Sequence, residues 1–322
     1  MSKNNLSGNN LYWNIDFKSF NSDTKMDNRS RDLLYYLTYS PSDEKWGTIL
    51  TTVGYQFIPN GSPYPLSKHP DDYSFVKQKG RILNEYQFVY ITKGKGYFES
   101  SHVKLQEVKP GDLFLLFPGE WHNYYPDAEI GWDEYWVGFK GRYFEQLQAE
   151  HFFSCKMPLL HIGVSNSMIG LYEDLIRTAN NEKSGHQVML AGILQHLTST
   201  IYYKHKNQTF GDSYIIEVLD KARKLMKEQI EEQISAEMIA GQIGVGYSWF
   251  RRMFKNYTGI SPAQYQIQLR LIRAKELLAR TSLAISDIAY QLHFENAGQF
   301  ATFFRKREGV TPTAYRNRQK SE

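Results

Sequence analysis

Two sets of residues in this chain have types and spacings suited to chemistry, one basic and helical, the other aromatic and strand-borne. Near the C-terminal end, Phe250, Met253, Phe254 and Tyr257 repeat at the three- and four-residue intervals of a helix, leaving Ser248, Arg251, Arg252 and Lys255 on the opposite side. An exposed arginine pair suits a polyphosphate, and a guanidinium fork can bond guanine O6 and N7 together, worth about 1–3 kcal/mol of discrimination. Further forward, Trp121, Tyr124, Tyr125, Trp132, Tyr135 and Trp136 crowd into one short stretch around His122. Such rings can stack on the apolar face of a sugar while His122, Arg81, Glu85 or Lys93 meets its hydroxyls. A stable transition-metal centre needs several ligands. His122 stands alone, and His69, His102 and His151 show no ligand spacing, so they read as surface residues and neither a metal nor any other cofactor is expected. The one cysteine, Cys155, has no partner for an internal disulfide and reads as an inert thiol of a reducing compartment.

These side chains need elements to hold them. A chain of 322 residues with 41% hydrophobic and 22% charged residues has the composition of a soluble globular protein and the length of two domains. No apolar run is long enough to span a bilayer, and the opening MSKNNLSGNN lacks the apolar core of a signal peptide, so a cytoplasmic location is expected. The net charge of +4 is unevenly divided: residues 213–322 hold 17 Lys+Arg against 11 Asp+Glu, a net +6, which leaves −2 for residues 1–212. The basic end is the one that carries the arginine pair, as a nucleic-acid partner requires.

That basic third is internally duplicated. Phe254-Lys255, Gly259-Ile260-Ser261-Pro262 and Tyr265 recur fifty positions later as Phe304-Arg305, Gly309-Val310-Thr311-Pro312 and Tyr315, and Ile239-Ala240 recurs as Ile288-Ala289. Each copy predicts a short helix, a tight turn and a second helix. In the first copy Ser235 is the expected cap and Gly244 the turn residue, with the second helix over about 247–257. In the second, Ser286 and Asn296 are the expected caps, and Phe300, Phe303 and Phe304 the buried stripe. Pro262 to Thr281 predicts one long helix that holds the two copies at a fixed separation.

The pattern Ile239-Ala240, Gly244, Phe254-Lys255, Gly259-Ile260-Ser261-Pro262, Leu269-Arg270, Ala274 to Leu278, Ile288-Ala289 and Gly309-Val310-Thr311-Pro312 with Tyr315-Arg316 resembles the AraC/XylS family of bacterial transcription regulators. The resemblance covers about a third of the chain. It implies two helix-turn-helix units on double-stranded DNA, their second helices entering the major groove about one turn, roughly 34 Å, apart. It also places Ser248, Arg251 and Arg252 on the first reading helix, with Lys255 beside them, and Ala297, Gly298, Gln299 and Thr302 on the second, with Arg305 as the counterpart of Lys255. Arginines on the first unit and small residues on the second imply that the first supplies most direct base readout. Two departures from the family pattern stand out: Gly246 replaces a capping Ser, and His293 replaces a Gly.

The front of the chain reads as β structure. Strands are predicted over 48–57, 85–92, 96–100, 113–117 and 135–139, separated by Gly/Pro/Asn/Asp turns. Tyr86 and Lys93-Gly94-x-Gly96, Pro110-Gly111-Asp112, Pro118-Gly119-x-x-His122-x-Tyr124, and Trp132-x-x-x-Trp136 resemble the cupin-type sensor domain of sugar-responsive relatives, which implies Lys93, His122, Tyr124 and Trp136 as pocket-lining residues. Where arabinose-responsive relatives carry Arg, this chain has Lys93. Two helices are predicted behind the strands, over 167–181 and 185–203, the second with an apolar stripe from Val188 to Ile201 that suits either the sensor core or a homodimer seam.

The expected fold is therefore α+β and multidomain. An arm over 1–27 precedes a cupin-like barrel or sandwich over 28–165, a helical dimerisation segment over 166–204, a linker over 205–212, and an all-α domain with two helix-turn-helix units over 213–318. The expected function is an effector-responsive regulator, an activator by family habit, that binds a sugar or sugar derivative through Arg81, Glu85, Lys93, His122, Tyr124 and Trp136. It is expected to work as a homodimer with RNA polymerase as a further partner. Two other readings fit the same residues: a constitutive DNA-binding protein whose front domain only dimerises, and a cupin enzyme fused to a DNA-binding tail.

Overall fold

A computed structural model of the chain describes residues 32–64, 79–208, 213–232 and 234–321. The expected arm over 1–27, His69 and residues 209–212 lie outside the described residues. The chain divides into two compact units, 1–202 and 203–322.

The first unit is built on strands β1 (Leu33–Tyr36), β2 (Ile49–Pro59), β3 (Arg81–Ile82), β4 (Tyr86–Gly94), β5 (Gly96–Ser100), β6 (Val103–Val108), β7 (Asp112–Leu116), β8 (Trp121–Pro126), β9 (Gly131–Lys140) and β10 (Leu159–His161). They form a six-stranded sheet in the order β1-β2-β9-β4-β7-β10 and a four-stranded sheet in the order β3-β8-β5-β6, with a short helix α1 (Pro41–Lys45) between β1 and β2. Among the described residues the two sheets do not close into one barrel, so the architecture is an open sandwich. One face of the large sheet, with Phe98 of β5 and Tyr124 of β8, encloses a cluster that includes Ile58, Val89, Ile91, Phe114, Trp132 and Trp136. The other face packs Phe88, Tyr90, Tyr135, Val137 and Phe139 against helices α2 (Arg142–Ala149), α3 (Asn166–Asn181) and α4 (His186–Gln208). A sheet buried on both faces explains why nearly every residue of β2, β4, β7 and β9 is inaccessible.

The apolar stripe of α4 belongs to that core. Leu190, Ala191, Leu194, Leu197, Thr198 and Ile201 are buried, while Val188 faces solvent. Gln187 locks the helix onto the sheet, accepting from Leu50 N–H at 3.0 Å and donating to the carbonyls of Leu50 and Thr38. Of the two uses the spacing allowed, these buried residues of the stripe serve the sensor core. Residues 205–208, expected as linker, are the last turn of α4.

The second unit is helical: α5 (Ser213–Glu228), α6 (Ala236–Gln242), α7 (Tyr247–Thr258), α8 (Pro262–Arg280), α9 (Ile285–Gln291), α10 (Ala297–Glu308) and α11 (Pro312–Ser321). It contains two small cores, one around Ile239, Phe250 and Phe254 and the other around Ile288, Phe300 and Phe304. The sequence duplication is a duplication of packing. Phe254 meets Tyr265 at 5.3 Å and 71°, and Phe304 meets Tyr315 at 5.4 Å and 72°. Both α7 and α10 end on a left-handed glycine, Gly259 at φ 82° and Gly309 at φ 74°.

Candidate DNA-reading face and effector site

Each helix-turn-helix unit is set by its caps and its turn. Ser235 accepts from Met238 N–H to start α6, and Gly244 takes φ 79° to turn the chain toward α7. Gly246 caps α7 without a side-chain bond, in keeping with the missing Ser. In the second unit Asn296 caps α10 through Gln299 N–H at 2.8 Å. Ser286 does not cap α9: the helix begins one residue before it, with Ala284 in the cap position and the Ser286 hydroxyl directed to Asp287. His293 occupies its turn at φ 59°, a left-handed conformation that glycine adopts freely, and its Nε2 donates to the Glu231 carbonyl at 2.7 Å.

The predicted DNA-facing side chains separate cleanly from the cores. Ser248, Arg251, Arg252 and Lys255 are exposed on α7, opposite buried Phe250 and Phe254. Gln299, Thr302 and Arg305 are exposed on α10, opposite buried Phe300 and Phe304. Gln299 has a second task, since its Oε1 accepts from Glu295 N–H at 2.9 Å.

In the first unit the polar residues converge inside the sandwich. Arg81 donates to Tyr124 Oη at 2.6 Å, and its Nε lies 3.4 Å from His122 Nε2. Tyr64 donates to the Glu134 carboxylate at 3.3 Å and packs edge-on to Trp132 at 5.9 Å. Glu134 pairs across the sheet with Gln56. The Gln56 amide oxygen and nitrogen and the Thr51 and Thr52 hydroxyls are buried with no hydrogen-bond partner among the described residues. Unpaired buried polar groups cost about 1–3 kcal/mol each, so such a group of them marks a place where a polar guest, water or ligand, supplies the bonds. Burial pushes the Glu134 carboxyl up to about 8, so it carries its proton at neutral pH. Burial, and then the Arg81 cation, draws His122 down to about 3, so its ring is neutral.

Of the predicted pocket residues, Arg81, His122 and Tyr124 come together in this network. Glu85 lies buried with them along the sheet, accepting from Gln87 at 2.8 Å. Trp136 lies over Gly54, where any Cβ would come within 2.3 Å of its ring. Lys93 is not part of the group: its side chain is 70% exposed and paired with Asp133 at 2.8 Å, because a bulge between Ile91 and Lys93 turns it out of the strand alternation. The aromatic set divides as well. Tyr124, Trp132 and Trp136 face the interior, whereas Tyr135 packs on Tyr172 beneath the sheet, Tyr125 on Tyr97, and Trp121 donates to the Lys79 carbonyl. A cupin-type metal at His122 does not fit, since the Arg81 guanidinium, a cation, lies 3.4 Å from its Nε2.

Residues 239–318 match the family model described as a helix-turn-helix domain, and residues 60–198 match the one described as an AraC-like ligand binding domain. The chain is similar to the Msm operon regulatory protein of Streptococcus mutans, 24% identical over 241 residues, covering 73% of this chain and 85% of that one. It is also similar to the lactose operon transcription activator of Staphylococcus xylosus, 25% identical over 235 residues, 70% of this chain and 82% of that one. The HTH-type transcriptional regulator ArgR of Pseudomonas aeruginosa is 35% identical over 102 residues, 32% of this chain and 31% of its own length.

Proposed function

The chain belongs to the AraC family of DNA-binding transcription regulators, with a ligand-binding domain ahead of its helix-turn-helix units, and from that premise we propose that it activates genes of carbohydrate use in response to a neutral sugar or sugar derivative. The observation that carries the effector class is the interior polar wall, where Gln56, Thr52, protonated Glu134 and neutral His122 offer uncharged donors and acceptors beside the rings of Tyr124, Trp132 and Trp136. Such a wall suits hydroxyls and the apolar face of a pyranose. The lactose operon activity in the name of one relative supports the same class.

On the DNA side, α7 and α10 are the reading helices. Arg251 and Arg252 supply most base discrimination from α7, with Ser248, Lys255, Gln299, Thr302 and Arg305 adding base or phosphate contacts. The regulator acts as a homodimer that contacts RNA polymerase, in the cytoplasm; among the described residues no helix is long and apolar enough to cross a membrane.

A thermal-shift panel of neutral mono- and oligosaccharides, sugar acids and sugar phosphates tests the effector. A ligand at 100 times its Kd stabilises the native state by about 2.7 kcal/mol, and Gln56→Ala or Arg81→Ala removes that shift. A response confined to the acids or phosphates would overturn the neutral assignment. For DNA, Arg251→Ala relaxes selectivity at one or two base pairs at a cost of about 1–3 kcal/mol; equal weakening on all sequences would make Arg251 a phosphate contact.

A further inference from the structure

At the rim of the sandwich, beside the interior wall but made of none of its residues, three donors of different chemistry meet. His102 sits on the turn between β5 and β6, Glu120 on the turn between β7 and β8, and Cys155 in the loop between α2 and β10. A ring nitrogen, a carboxylate oxygen and the sulfur lie within 4.8 Å of one another. His102 Nε2 is 3.3 Å from Glu120 Oε2. Tetrahedral Zn²⁺, with bonds of about 2.0–2.1 Å to nitrogen and about 2.0–2.2 Å to oxygen, sets those two donors about 3.3 Å apart, and its bond of about 2.3 Å to sulfur sets the thiolate roughly 3.5 Å from each.

The three turns are fixed before any ion arrives. Ser101 N–H donates to the Trp121 carbonyl at 3.0 Å, tying the His102 turn to β8. Gly119 N–H donates to the Leu83 carbonyl at 2.9 Å and Glu120 N–H to Phe117 at 3.2 Å. The cysteine loop is anchored by Leu115 N–H to the Pro158 carbonyl at 2.9 Å and by Met157 N–H to Ser154 at 3.0 Å. The His102 and Glu120 side chains are about a third exposed, at 36% and 34%, and Cys155 is half-buried. The site is thus open on one side to an ion and to a fourth ligand. An ion pair between His102 and Glu120 accounts for their own distance, but not for a thiol brought to the same point from a third segment.

We propose that His102, Glu120 and Cys155 form a three-ligand site for Zn²⁺, with the fourth position open to water or a small ligand. One thiolate, one imidazole and one carboxylate form a borderline-soft set that suits zinc and disfavours Mg²⁺ and Ca²⁺. On binding, the Cys155 thiol gives its proton to solvent and the sulfur bonds the metal as thiolate. His102 is then more than a surface residue and Cys155 more than an inert thiol. The site also adjoins the interior wall: the Glu120 carbonyl lies 3.1 Å from His122 Nδ1, so an ion that fixes Glu120 also fixes the ring next to Arg81.

Cobalt substitution tests this in the full-length protein. The chain has one cysteine, so any sulfur-to-cobalt charge-transfer absorption must arise from Cys155. Titration with CoCl₂ is expected to give that near-ultraviolet band with tetrahedral visible absorption, saturating at one equivalent and displaced by ZnCl₂. Cys155→Ser abolishes the band, His102→Ala and Glu120→Ala each weaken cobalt binding at least tenfold, and His161→Ala, at a histidine paired with Asp112, changes nothing. Zn²⁺ should also slow alkylation of Cys155 by iodoacetamide in the native protein but not in His102→Ala, a readout that holds if Cys155→Ser fails to fold. No charge-transfer band in the native protein, or a band that His102→Ala and Glu120→Ala leave at full affinity, overturns the site.

Discussion

Glu134 and His122 are shifted in ways that give opposite pH dependences. With its carboxyl raised from 4.5 to about 8, Glu134 holds a proton in the native state that the unfolded chain has released, so its contribution to stability declines as pH rises through that window. His122, drawn from 6.5 to about 3, is neutral in the native state where the unfolded chain is charged, so its contribution declines as pH falls below 6.5. Between about pH 4.5 and 6.5 the two slopes oppose one another; from about 6.5 to 8 only that of Glu134 remains, at up to about 1.4 kcal/mol per pH unit. Urea unfolding across the upper window should show stability falling in the native protein and level in Glu134→Gln. Equal slopes in the two proteins would place the titration in another group. Glu134 was hidden in the sequence because strand alternation normally sends polar residues to solvent. Gln56 stands between Tyr55 and Phe57 in that way, and Glu134 stands in the polar pair Asp133-Glu134, yet the sheet they belong to is covered on both faces. Arg81, His122 and Tyr124 were legible because a His and aromatic cluster stood beside glycine-proline turns. Lys93 was misplaced because a bulge leaves no mark in residue types.

At the scale of elements, the duplicated half was the more legible. Apolar residues at helical spacing, capping residues and two left-handed glycines agree with one another in both copies, and each signal is local. The exception, Ser286 for Ala284 at the α9 cap, is an error of two residues where a helix start lacks a side-chain cap. What no local pattern could disclose is how the two copies are joined. Glu231, in the turn after α5, accepts from Arg273 of α8 at 2.6 Å and from Gln291 of α9 at 2.9 Å, while its carbonyl accepts from His293 at 2.7 Å. These bonds hold its carboxylate below its ordinary range, the Gln291 bond foremost. One residue of the first copy therefore grips the long helix and the turn of the second. Because Glu231 and Arg273 are each over a third exposed, solvent screening limits the cost of Glu231→Ala to roughly 1 kcal/mol. The larger expected effect is on geometry: the native protein should lose affinity sharply when one base pair is inserted between its two half-sites, and Glu231→Ala should tolerate the insertion better. Undiminished discrimination in the variant would mean that α8 alone sets the spacing.

At the scale of the whole molecule, the chain divides into two units with separate cores, so the proposed DNA reading and effector binding belong to distinct structures. The positive charge belongs to the second unit, residues 213–322 carrying +6 against −2 for the rest, so phosphate attraction does not depend on the first. Both helix-turn-helix cores close within that unit: Phe250 and Phe254 pack with residues of α5 and α6, and Phe300 and Phe304 with residues of α8 and α9. Residues 213–322 should therefore fold alone and keep the base preferences of the full chain. Coupling is reciprocal, so an effector that changes operator affinity in the full chain must have its own affinity changed by operator DNA to the same degree. In the isolated fragment that term vanishes. Titrating operator DNA into both proteins, with and without the sugar that stabilises the full chain, should give an effector-dependent Kd for the full chain alone. An isolated fragment that still responds would mean that the sugar binds the helical unit, and the interior wall of the sandwich would then have to serve something else.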